Sequence, residues 1–450
     1  MIHKRSIIVL SVIVLFGMPL AVKAGAQETS SANPYSGDFW SRSTLTGDWG
    51  GVRNDLAAKG VTFDLSLIQG TQGIVGGGKE EPWDYDGRGD LTINVDTQKL
   101  GLWPGGFFTA EVEGNYGKAV NRYTGALMPV DSNRIYPTPT GDNLNVPAFN
   151  FTQFLSPYFG VTLGKYATLT STSGDMNEFA HGKGDTQFMN LALNFNPIFA
   201  LTVPYSTLGA GAIILPTKDP NAAIVSFMVL EANGQASTSG FSDLNQNKLS
   251  FAGEGRVRTD FFGLTGHQLL GMTYSNQEYT SIDQNARFII QNGALEHTKG
   301  SWNMYYNFDQ YLYEPKKGSG EGIGIFGRFG ASDGNPNFMH YFYSMGFGGK
   351  GVIPCRPLDT YGIGYYYLDI RSPTFTVLGR TASLLGDEQG FEAYYNIAVT
   401  PWMKLTPDIQ VIRPAQKNTV SIITAGGIPS LSTKSIDTAT VLGLRLQLIF

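Results

Sequence analysis

The feature that most limits the fold of this chain is an alternation of apolar and polar residues over segments of about ten residues. In the last segment, residues 438–450, Leu444 and Leu446 share one face while Arg445 and Gln447 share the other. The same pattern recurs in residues 90–96, 249–258 and 391–399. Successive side chains of a β-strand point to opposite faces, so the pattern predicts strands with one apolar face and one mixed face.

These strands are expected to form a closed barrel in a membrane rather than a soluble sheet. A tilted strand of about ten residues is long enough to cross a bilayer. The sequence offers no helical segments that could cover so many apolar faces, whereas lipid can cover them. Because a membrane also forbids open sheet edges, the sheet must close on itself. The predicted fold class is therefore an all-β, transmembrane antiparallel β-barrel.

Sixteen segments qualify as strands. They are residues 62–69, 89–97, 107–114, 148–155, 158–165, 207–215, 222–230, 248–258, 267–276, 299–308, 321–330, 341–349, 361–370, 391–399, 403–412 and 438–450. Eighteen strands are an alternative, because Gln187 to Phe195 also alternates. A barrel of this size is expected to enclose a water-filled lumen rather than a packed core.

The connections between these strands alternate in length, as an up-and-down barrel requires. Short turns at residues 156–157, 216–221 and 400–402 are expected on the periplasmic side, and longer loops outside the cell. The long connections are 70–88, 115–147, 166–206, 231–247, 277–298, 371–390 and 413–437. In the third of them a polar run, Ser171 to Gln187, precedes an apolar run, Phe188 to Leu201. We predict that this loop folds inward and narrows the pore.

Two segments precede the barrel. Residues 1–26 have a positively charged start, a short apolar stretch and small residues near Ala24 and Ala26, which is typical of a cleaved secretory signal peptide. Residues 27–61 form an N-terminal segment in which a short helix is predicted from about Gly50 to Lys59, with Gly60 as its stop. The barrel itself is expected to occupy residues 62–450.

Composition excludes several other classes of protein. Charged residues make up 15% of the 450 residues and the formal net charge is −5, whereas a nucleic-acid-binding protein would carry a basic excess. The aromatic content of 12% argues against disorder. A lone cysteine, Cys355, allows no intrachain disulfide and no cysteine-based zinc site, and the histidines lack the spacing of metal ligands. No cofactor and no metal are expected.

Two stretches and the terminus resemble the carbohydrate-selective porins, the OprB family. The first stretch reads Leu45-Thr46-Gly47-Asp48-Trp49-Gly50-Gly51-x-Arg53, followed by Lys59-Gly60. The second comprises Phe391-Glu392-Ala393-Tyr394-Tyr395 and the run from Val399 to Gln410. The terminal strand ends in Phe450, as many outer-membrane barrels do. Together these stretches bracket nearly the whole mature chain.

The resemblance implies a sixteen-stranded outer-membrane channel that passes glucose and other sugars. It also implies a constriction lined by charged and aromatic residues. Arg53 matches the family motif and is therefore expected to be one of these residues. A second arginine associated with the end of the third strand is absent here, where the sequence reads Glu113-Gly114-Asn115-Tyr116. Trp49, which lies outside the strands, is a candidate platform for a sugar ring.

Charged residues of both signs occupy the mixed faces of the strands. The acids are Asp64, Asp90, Asp96, Glu111, Glu113, Glu254, Glu392 and Asp408, and the bases are Lys165, Lys248, Arg256, Arg258, Arg328, Lys404 and Arg445. A balanced lumen suits a neutral, polyhydroxylated solute, because a ring of one sign would select ions instead. The residues that we expect to line the pore or to bind the solute are Trp49, Arg53, Glu111, Glu113, Lys165, Glu254, Arg256, Arg258, Arg328 and Glu392.

The sequence therefore predicts a passive, sugar-selective porin in the outer membrane of a Gram-negative bacterium, and not an enzyme. General diffusion, or selectivity for sugar acids or polyols, is an alternative. A plugged barrel with a structural or enzymatic role is a more distant one, for which His267 with Ser250 is the only faint catalytic pair. The expected partners are sugars, outer-membrane lipids, lipopolysaccharide and the barrel-assembly machinery, which would engage the strand ending in Phe450. The protein is expected to be a monomer or a homotrimer that binds no nucleic acid.

Overall fold

A closed barrel of sixteen antiparallel strands forms the body of the protein in a computed structural model. The structure describes residues 34–169, 177–242, 244, 247–284, 293–372, 374–377, 380–383, 385–425 and 428–450. The predicted signal peptide lies outside the described residues. Each barrel strand pairs with its neighbour in the chain, and the first strand pairs with the last through Ser66 opposite Ile449 and Leu67 opposite Leu448. This last pairing closes the sheet.

The barrel strands are β1 (Val61–Gly78), β2 (Trp83–Asp96), β3 (Gly106–Gly117), β4 (Asn143–Ser156), β5 (Phe159–Ala167), β6 (Ser206–Ile214), β7 (Ala223–Glu231), β8 (Leu249–Thr259), β9 (Gly266–Thr280), β10 (His297–Tyr313), β11 (Gly322–Ser332), β12 (Met339–Lys350), β13 (Thr360–Ile370), β16 (Glu388–Thr400), β17 (Met403–Arg413) and β20 (Asp437–Ile449). Two hairpins stand in connections of the barrel: β14 (Thr374–Val377) with β15 (Arg380–Ser383), and β18 (Asn418–Ala425) with β19 (Ile428–Ser435).

Helices are short and lie outside the sheet. The α-helices are α1 (Val52–Ala58), α2 (Asn121–Thr124) and α3 (Leu191–Asn194), and single 3-10 turns span Asn133–Ile135, Pro197–Phe199 and Phe261–Gly263. None of the helices among the described residues is both long enough and apolar enough to cross a bilayer. The predicted N-terminal helix is confirmed; it begins two residues later and ends one residue earlier than expected.

All sixteen predicted strands are present, and the eighteen-strand alternative is wrong. Residues 187–195 form no strand, because they belong to the loop between β5 and β6 and contain α3. The long connection predicted at residues 70–88 is also wrong: β1 continues to Gly78 and β2 begins at Trp83, so the two strands extend as a hairpin beyond their apolar parts. The periodicity located the membrane-facing part of each strand but not its polar extension.

The two faces of the barrel differ as the alternation predicts. Leu442 and Leu444 on β20 are 37% and 41% exposed on the outer face, whereas Arg445 between Leu444 and Leu446 is fully buried inside. Outward apolar side chains such as Phe227 and Met272 are likewise exposed. A face of this kind is stable only when hydrocarbon covers it, so the outer surface fits a lipid environment.

The inside of the barrel is only partly open, and the expectation of a wholly water-filled lumen is corrected here. Residues of the loop between β5 and β6 join wall residues in an apolar cluster that includes Phe188, Leu193, Ile198, Phe326 and Tyr366. This cluster fills the lumen along β9 to β13 and β16. The barrel therefore has a packed side and a side that remains free of this core.

Glycines on the inner wall make room for this core. A Cβ atom at Gly330 would lie 2.9 Å from Cβ of Ile198, one at Gly364 would lie 2.9 Å from Cδ2 of Leu193, and one at Gly348 would lie 2.7 Å from Cβ of Phe179. Real Cβ atoms do not approach carbon this closely, so a side chain at these positions would push the loop away from the wall.

We expect the connections on the α1 side of the barrel to face the periplasm and those on the other side to face the medium. Ser239 lies in the connection between β7 and β8, and Thr217 lies in the turn between β6 and β7. In a Cys355→Ser background, a bulky maleimide added to intact cells should label Ser239→Cys and leave Thr217→Cys unlabelled.

The natural cysteine provides an internal control for this experiment. Cys355 is exposed and lies between β12 and β13, at the same end of the barrel as Thr217. The unmodified protein should therefore react only after the cells are broken. Labelling of Thr217→Cys but not Ser239→Cys on intact cells would reverse the assigned orientation.

Candidate functional site

The described part of the loop between β5 and β6, residues 177–205, crosses the inside of the barrel and reaches strands far from its own. The Asn177 side chain donates to the carbonyl of Phe308 on β10 (2.9 Å), and Asn396 on β16 donates to the carbonyl of Thr186 (3.0 Å). The predicted inward folding of this loop is confirmed. We call residues 177–205 the inward loop, and they form the constriction of the lumen.

Two buried side chains on the packed wall hold the inward loop by its backbone. Arg328 on β11 donates to the carbonyls of Leu193 (3.0 Å) and Asn194 (3.2 Å), and also to that of Ala180. Glu392 on β16 accepts from the amides of Met189 (2.5 Å) and Asn190 (2.9 Å). Both side chains are almost fully buried. Opposite charges on the two strands thus satisfy donors and acceptors that a loop in the lumen could not satisfy alone.

Glu388 and Arg445 extend this pattern to neighbouring strands. Glu388 on β16 accepts from the amides of Leu127 (2.6 Å) and Met128 (3.0 Å), which belong to the connection between β3 and β4. Arg445 on β20 donates to the carbonyl of Gly184 (2.5 Å). Wall residues therefore hold two inward segments. Arg445 was predicted to face the lumen and serves as a backbone anchor, whereas Glu388 was predicted to lie in a connection.

An ion cluster fixes the other flank of the inward loop. Lys183 of the loop lies 2.7 Å from Glu111 and 3.8 Å from Asp90, and it also contacts Glu113 directly. Arg88 pairs with Asp90 (3.0 Å) and with Asp185 of the loop (3.5 Å). Every member of this cluster is buried. Four carboxylates meet two bases here, and breaking one pair would leave a buried charge without compensation.

The Lys183 ammonium occupies the place that a cation would take among these carboxylates. Oxygen atoms of Asp90, Glu111 and Glu113 lie within 4.8 Å of one another, close enough for a shared metal ion. Burial alone would lower the pKa of Lys183, but the facing carboxylates outweigh burial and raise its pKa. The lysine thus stays charged, and the three carboxylates already have their cation.

Tyr205, at the end of the inward loop, completes this cluster. Its hydroxyl donates to Glu113, and burial together with the neighbouring carboxylates raises its pKa well above the ordinary value. The phenol therefore stays protonated and acts as a hydrogen-bond donor.

Strand β8, which pairs with β9 at the border of the packed wall, carries charged side chains that face the lumen. Glu254, Arg256 and Arg258 share the inner face of β8; Arg256 is half-buried and Arg258 is exposed. Glu254 accepts from the Tyr305 hydroxyl (2.8 Å), and Arg256 donates to the carbonyl of Pro220 (3.3 Å). Of the predicted pore-lining charges, these three lie on the side that the apolar cluster leaves free.

Three other predicted site residues lie elsewhere. Lys165 shares the outer face of β5 with Leu163, which is 57% exposed, and its ammonium donates to carbonyls of Val146 (2.9 Å), Ala236 (3.0 Å) and Thr238 (2.5 Å). Its assignment to the lumen is corrected. Lys165 was predicted to face the lumen because it is charged. Its position in the alternation places it on the outer face instead, where carbonyls of the connection between β7 and β8 cover its ammonium group.

Arg53 and Trp49 join the N-terminal segment to the start of β1. Arg53 is buried, donates to the Phe63 carbonyl (2.6 Å) and lies over the rings of Tyr35 (4.1 Å) and Trp49 (5.1 Å). Trp49 is partly exposed. The structure does not bring these two residues together with the inward loop.

The faint catalytic pair of the sequence is not assembled. Ser250 lies opposite Ser275 on β9, and His267 lies opposite Arg258, eight residues further along β8. Eight residues of a strand span about 27 Å. His267 instead contacts Asp309 (2.9 Å), and Ser250 donates to the carbonyl of Thr202.

Some of the residues that hold the inward loop were not predicted from the sequence. Arg88, Lys183 and Asp185 received no role in the lumen, although Arg88 alternates with Asp90 on one strand and could have been placed inside by that signal. Lys183 and Asp185 lie in a loop, where no periodicity indicates a direction.

Comparison with known proteins agrees with this architecture. The family model described as "Carbohydrate-selective porin, OprB family" matches residues 80–450. Porin B of Pseudomonas aeruginosa is 21% identical over 90% of this chain and 91% of that protein. A candidate porin of Acinetobacter baylyi, QuiX, is 33% identical over 91 residues, which are 19% of this chain and 20% of that one. The high-pH structure of Pseudomonas putida OprB, at 20% identity, superposes over 92% of this chain and 100% of that one with a TM-score of 0.74.

Loss of an anchor should loosen the constriction. Arg328→Met leaves three loop carbonyls without their donor, at a cost of about 1–3 kcal/mol for each buried group. We expect higher single-channel conductance and more current noise in planar bilayers. Arg413→Met, which removes an exposed arginine from the outer face of β17, is the matched control. Equal single-channel conductance and equal current noise in the two variants would contradict the anchoring role of Arg328.

Filling a glycine position on the packed wall should have the opposite effect. Gly330→Val would push Ile198, and with it the inward loop, toward the free side of the lumen, so single-channel conductance should fall. At Gly255, on the outer face of β8, the nearest atom to a new Cβ is 3.8 Å away, so Gly255→Val should leave conductance unchanged. A fall in single-channel conductance in Gly255→Val but not in Gly330→Val would show that the missing side chain of Gly330 does not make room for the inward loop.

Proposed function

The chain belongs to the carbohydrate-selective porin family, OprB, and on that premise we propose that it is a passive outer-membrane channel selective for sugars. The observation that carries the proposal is the asymmetry of the constriction. Buried charges and an apolar cluster hold the inward loop against β9 to β13 and β16, and a ladder of both signs faces the lumen on the adjoining strand β8.

The ladder on β8 supplies the chemistry for a neutral solute. Successive inner-face residues of a strand lie about 7 Å apart, so Glu254, Arg256 and Arg258 form a row of acceptors and donors along the passage. A sugar hydroxyl can exchange its hydrogen bonds to water for bonds to these groups, worth roughly 1.5–3 kcal/mol each before desolvation is subtracted. Net binding must remain weak, because a channel that holds its solute tightly cannot release it. Millimolar affinity, about −4 kcal/mol, is the expected scale.

General diffusion is the main alternative within the porin class. A narrowed lumen disfavours it, because the inward loop is fixed at several points and cannot yield to large solutes. Selectivity for sugar acids is a further alternative, and Arg256 and Arg258 are the groups that would serve it. An enzymatic role has no support from the separated positions of Ser250 and His267.

The remaining partners follow from the surface of the barrel. The exposed apolar outer face supports contact with outer-membrane lipid and, at the outer leaflet, with lipopolysaccharide. Phe450 ends the closing strand and its amide donates to the carbonyl of Leu65 (3.4 Å), a position that the barrel-assembly machinery could engage before closure. Both a monomer and a homotrimer are compatible with one closed barrel for each chain.

The proposal is tested with the purified protein in planar bilayers and liposomes. Glucose should reduce the ion current at millimolar concentrations, and proteoliposomes should swell faster in glucose than in a neutral polar solute of the same size that is not a sugar. A large ion current without sugar block, and equal swelling rates, would indicate general diffusion and overturn the proposal.

The ladder is tested by removing its two arginines. Arg256→Ala with Arg258→Ala should weaken glucose block about tenfold, as loss of about 1.4 kcal/mol implies, and should shift ion preference toward cations. The barrel should remain folded, since the substitutions remove only side-chain atoms and leave the backbone pairing of Arg256 with Leu269 and of Arg258 with His267 intact. Lys316→Ala with Lys317→Ala removes the same charge from the connection between β10 and β11 and should retain glucose block. Unchanged block in the arginine variant would assign selectivity to other groups.

A further inference from the structure

A cavity of about 110 Å³ lies between the inward loop and the inner wall of β5 to β10. The loop contributes Asn194, Phe195 and Phe199, and the wall contributes Tyr166, Glu254 and Tyr305. The cavity borders the apolar cluster, with which it shares Tyr305 and Phe199, and it reaches Glu254 of the β8 ladder. Its volume is of the same order as the ~150 Å³ cavity that accepts a benzene ring in another protein.

We propose that this cavity receives one ring of a neutral, polyhydroxylated solute during passage and disfavours solutes that carry a carboxylate. The proposal rests on the proposed sugar channel and deepens it, because it names the solute class and the residues that discriminate. Sites for small ligands commonly combine an apolar lining with a few placed polar groups, and this cavity has that composition.

Aromatic rings form one side of the cavity. The ring centroids of Phe195 and Phe199 are 5.7 Å apart, and those of Phe199 and Tyr305 are 5.3 Å apart. Such a surface can cover the C–H face of a pyranose ring while the hydroxyls at the ring edge remain free for hydrogen bonds.

Polar atoms meet at the edge of this aromatic surface. The side-chain oxygen of Asn194 is buried and has no hydrogen-bond partner among the described residues, while its amide nitrogen donates to Ser132 (3.2 Å). The hydroxyls of Thr162 and Tyr166 lie 2.6 Å apart and can turn toward a solute. A buried acceptor without a donor is costly, and a solute hydroxyl would satisfy the Asn194 oxygen.

Charge decides which rings can enter. The described residues that line the cavity include one carboxylate, Glu254, and no lysine, arginine or histidine. The Tyr305 hydroxyl donates to Glu254 and holds it against the wall (2.8 Å). A neutral ring can donate hydroxyls to this carboxylate, whereas a sugar acid would bring a second negative charge next to it.

The loop side of the cavity is held in place by the anchors on the packed wall. Arg328 binds the carbonyls of Leu193 and Asn194, directly before Phe195. The α3 turn that presents Asn194 is therefore fixed relative to the barrel, which preorganises the cavity for a ring of one size.

The decisive variant is Glu254→Gln, which keeps the shape of the side chain and removes its charge. Relative permeation of glucose and glucuronate, two solutes that differ by one carboxylate, is measured by swelling of proteoliposomes. We expect the preference of the unmodified channel for glucose to fall about tenfold in Glu254→Gln, the factor that corresponds to about 1.4 kcal/mol. Glu278→Gln is the matched control, since it makes the same exchange on the neighbouring strand β9, outside the residues that line the cavity.

A second variant tests the aromatic surface. Phe199→Leu keeps an apolar side chain and removes the ring, so glucose block of the ion current should weaken about threefold while the glucose-to-glucuronate preference persists. Resistance of the unboiled barrel to detergent denaturation reports that both variants are folded.

The outcomes separate the two proposals. If the unmodified channel shows neither glucose block nor preferential glucose permeation, the proposed sugar selectivity fails. If the unmodified channel is selective but Glu254→Gln behaves like Glu278→Gln and Phe199→Leu behaves like the unmodified channel, the cavity is only a water-filled gap and this inference is overturned.

Discussion

The structure depends on the requirement that every backbone donor and acceptor inside a bilayer finds a partner within the protein. Lipid offers no hydrogen bonds, so an open sheet edge would leave a row of unpaired groups in hydrocarbon. Pairing of β1 with β20, from Ser66 opposite Ile449 onward, removes both edges at once. The apolar outer face and the mixed inner face follow, because each strand must alternate between lipid and lumen.

The same requirement explains how a loop can fold inside the barrel. The inward loop has little regular structure and brings many free amides and carbonyls into a confined space. Arg328 supplies donors for three of its carbonyls, and Glu392 supplies acceptors for two of its amides. Side chains of the wall thus supply the hydrogen-bond partners that a neighbouring strand supplies elsewhere in the sheet.

Charged residues of the lumen consequently have two kinds of role. Those on the packed wall and in the Lys183 cluster are buried and hold segments of chain, so their removal should change the shape of the constriction. Those on β8 face the free side, so their removal should change which solutes pass. The glycines of the packed wall belong to the first group, since their missing side chains leave the space that Ile198 and Leu193 occupy.

The sequence by itself determined the fold to within a few residues at most strand ends. Strand alternation is local, and the thickness of the bilayer sets the length of each apolar segment, so neither depends on distant contacts. The polar extensions of β1 and β2 were missed because nothing apolar marks them. The sequence also indicated that the loop between β5 and β6 turns inward, since an apolar run such as Phe188 to Leu201 needs a surface to cover it.

Only the tertiary structure decided which inner charges face the passage. Alternation can place Arg328 and Arg258 on the same face, but it cannot tell that loop carbonyls bury the first and leave the second exposed. Alternation also could not reveal that carbonyls of the connection between β7 and β8 bind the Lys165 ammonium on the outer face. Nor could it reveal that Lys183 of the inward loop lies next to Glu111 and Glu113. These contacts join residues far apart in the chain, and their partners are backbone atoms or loop side chains, which carry no periodic signal in the sequence.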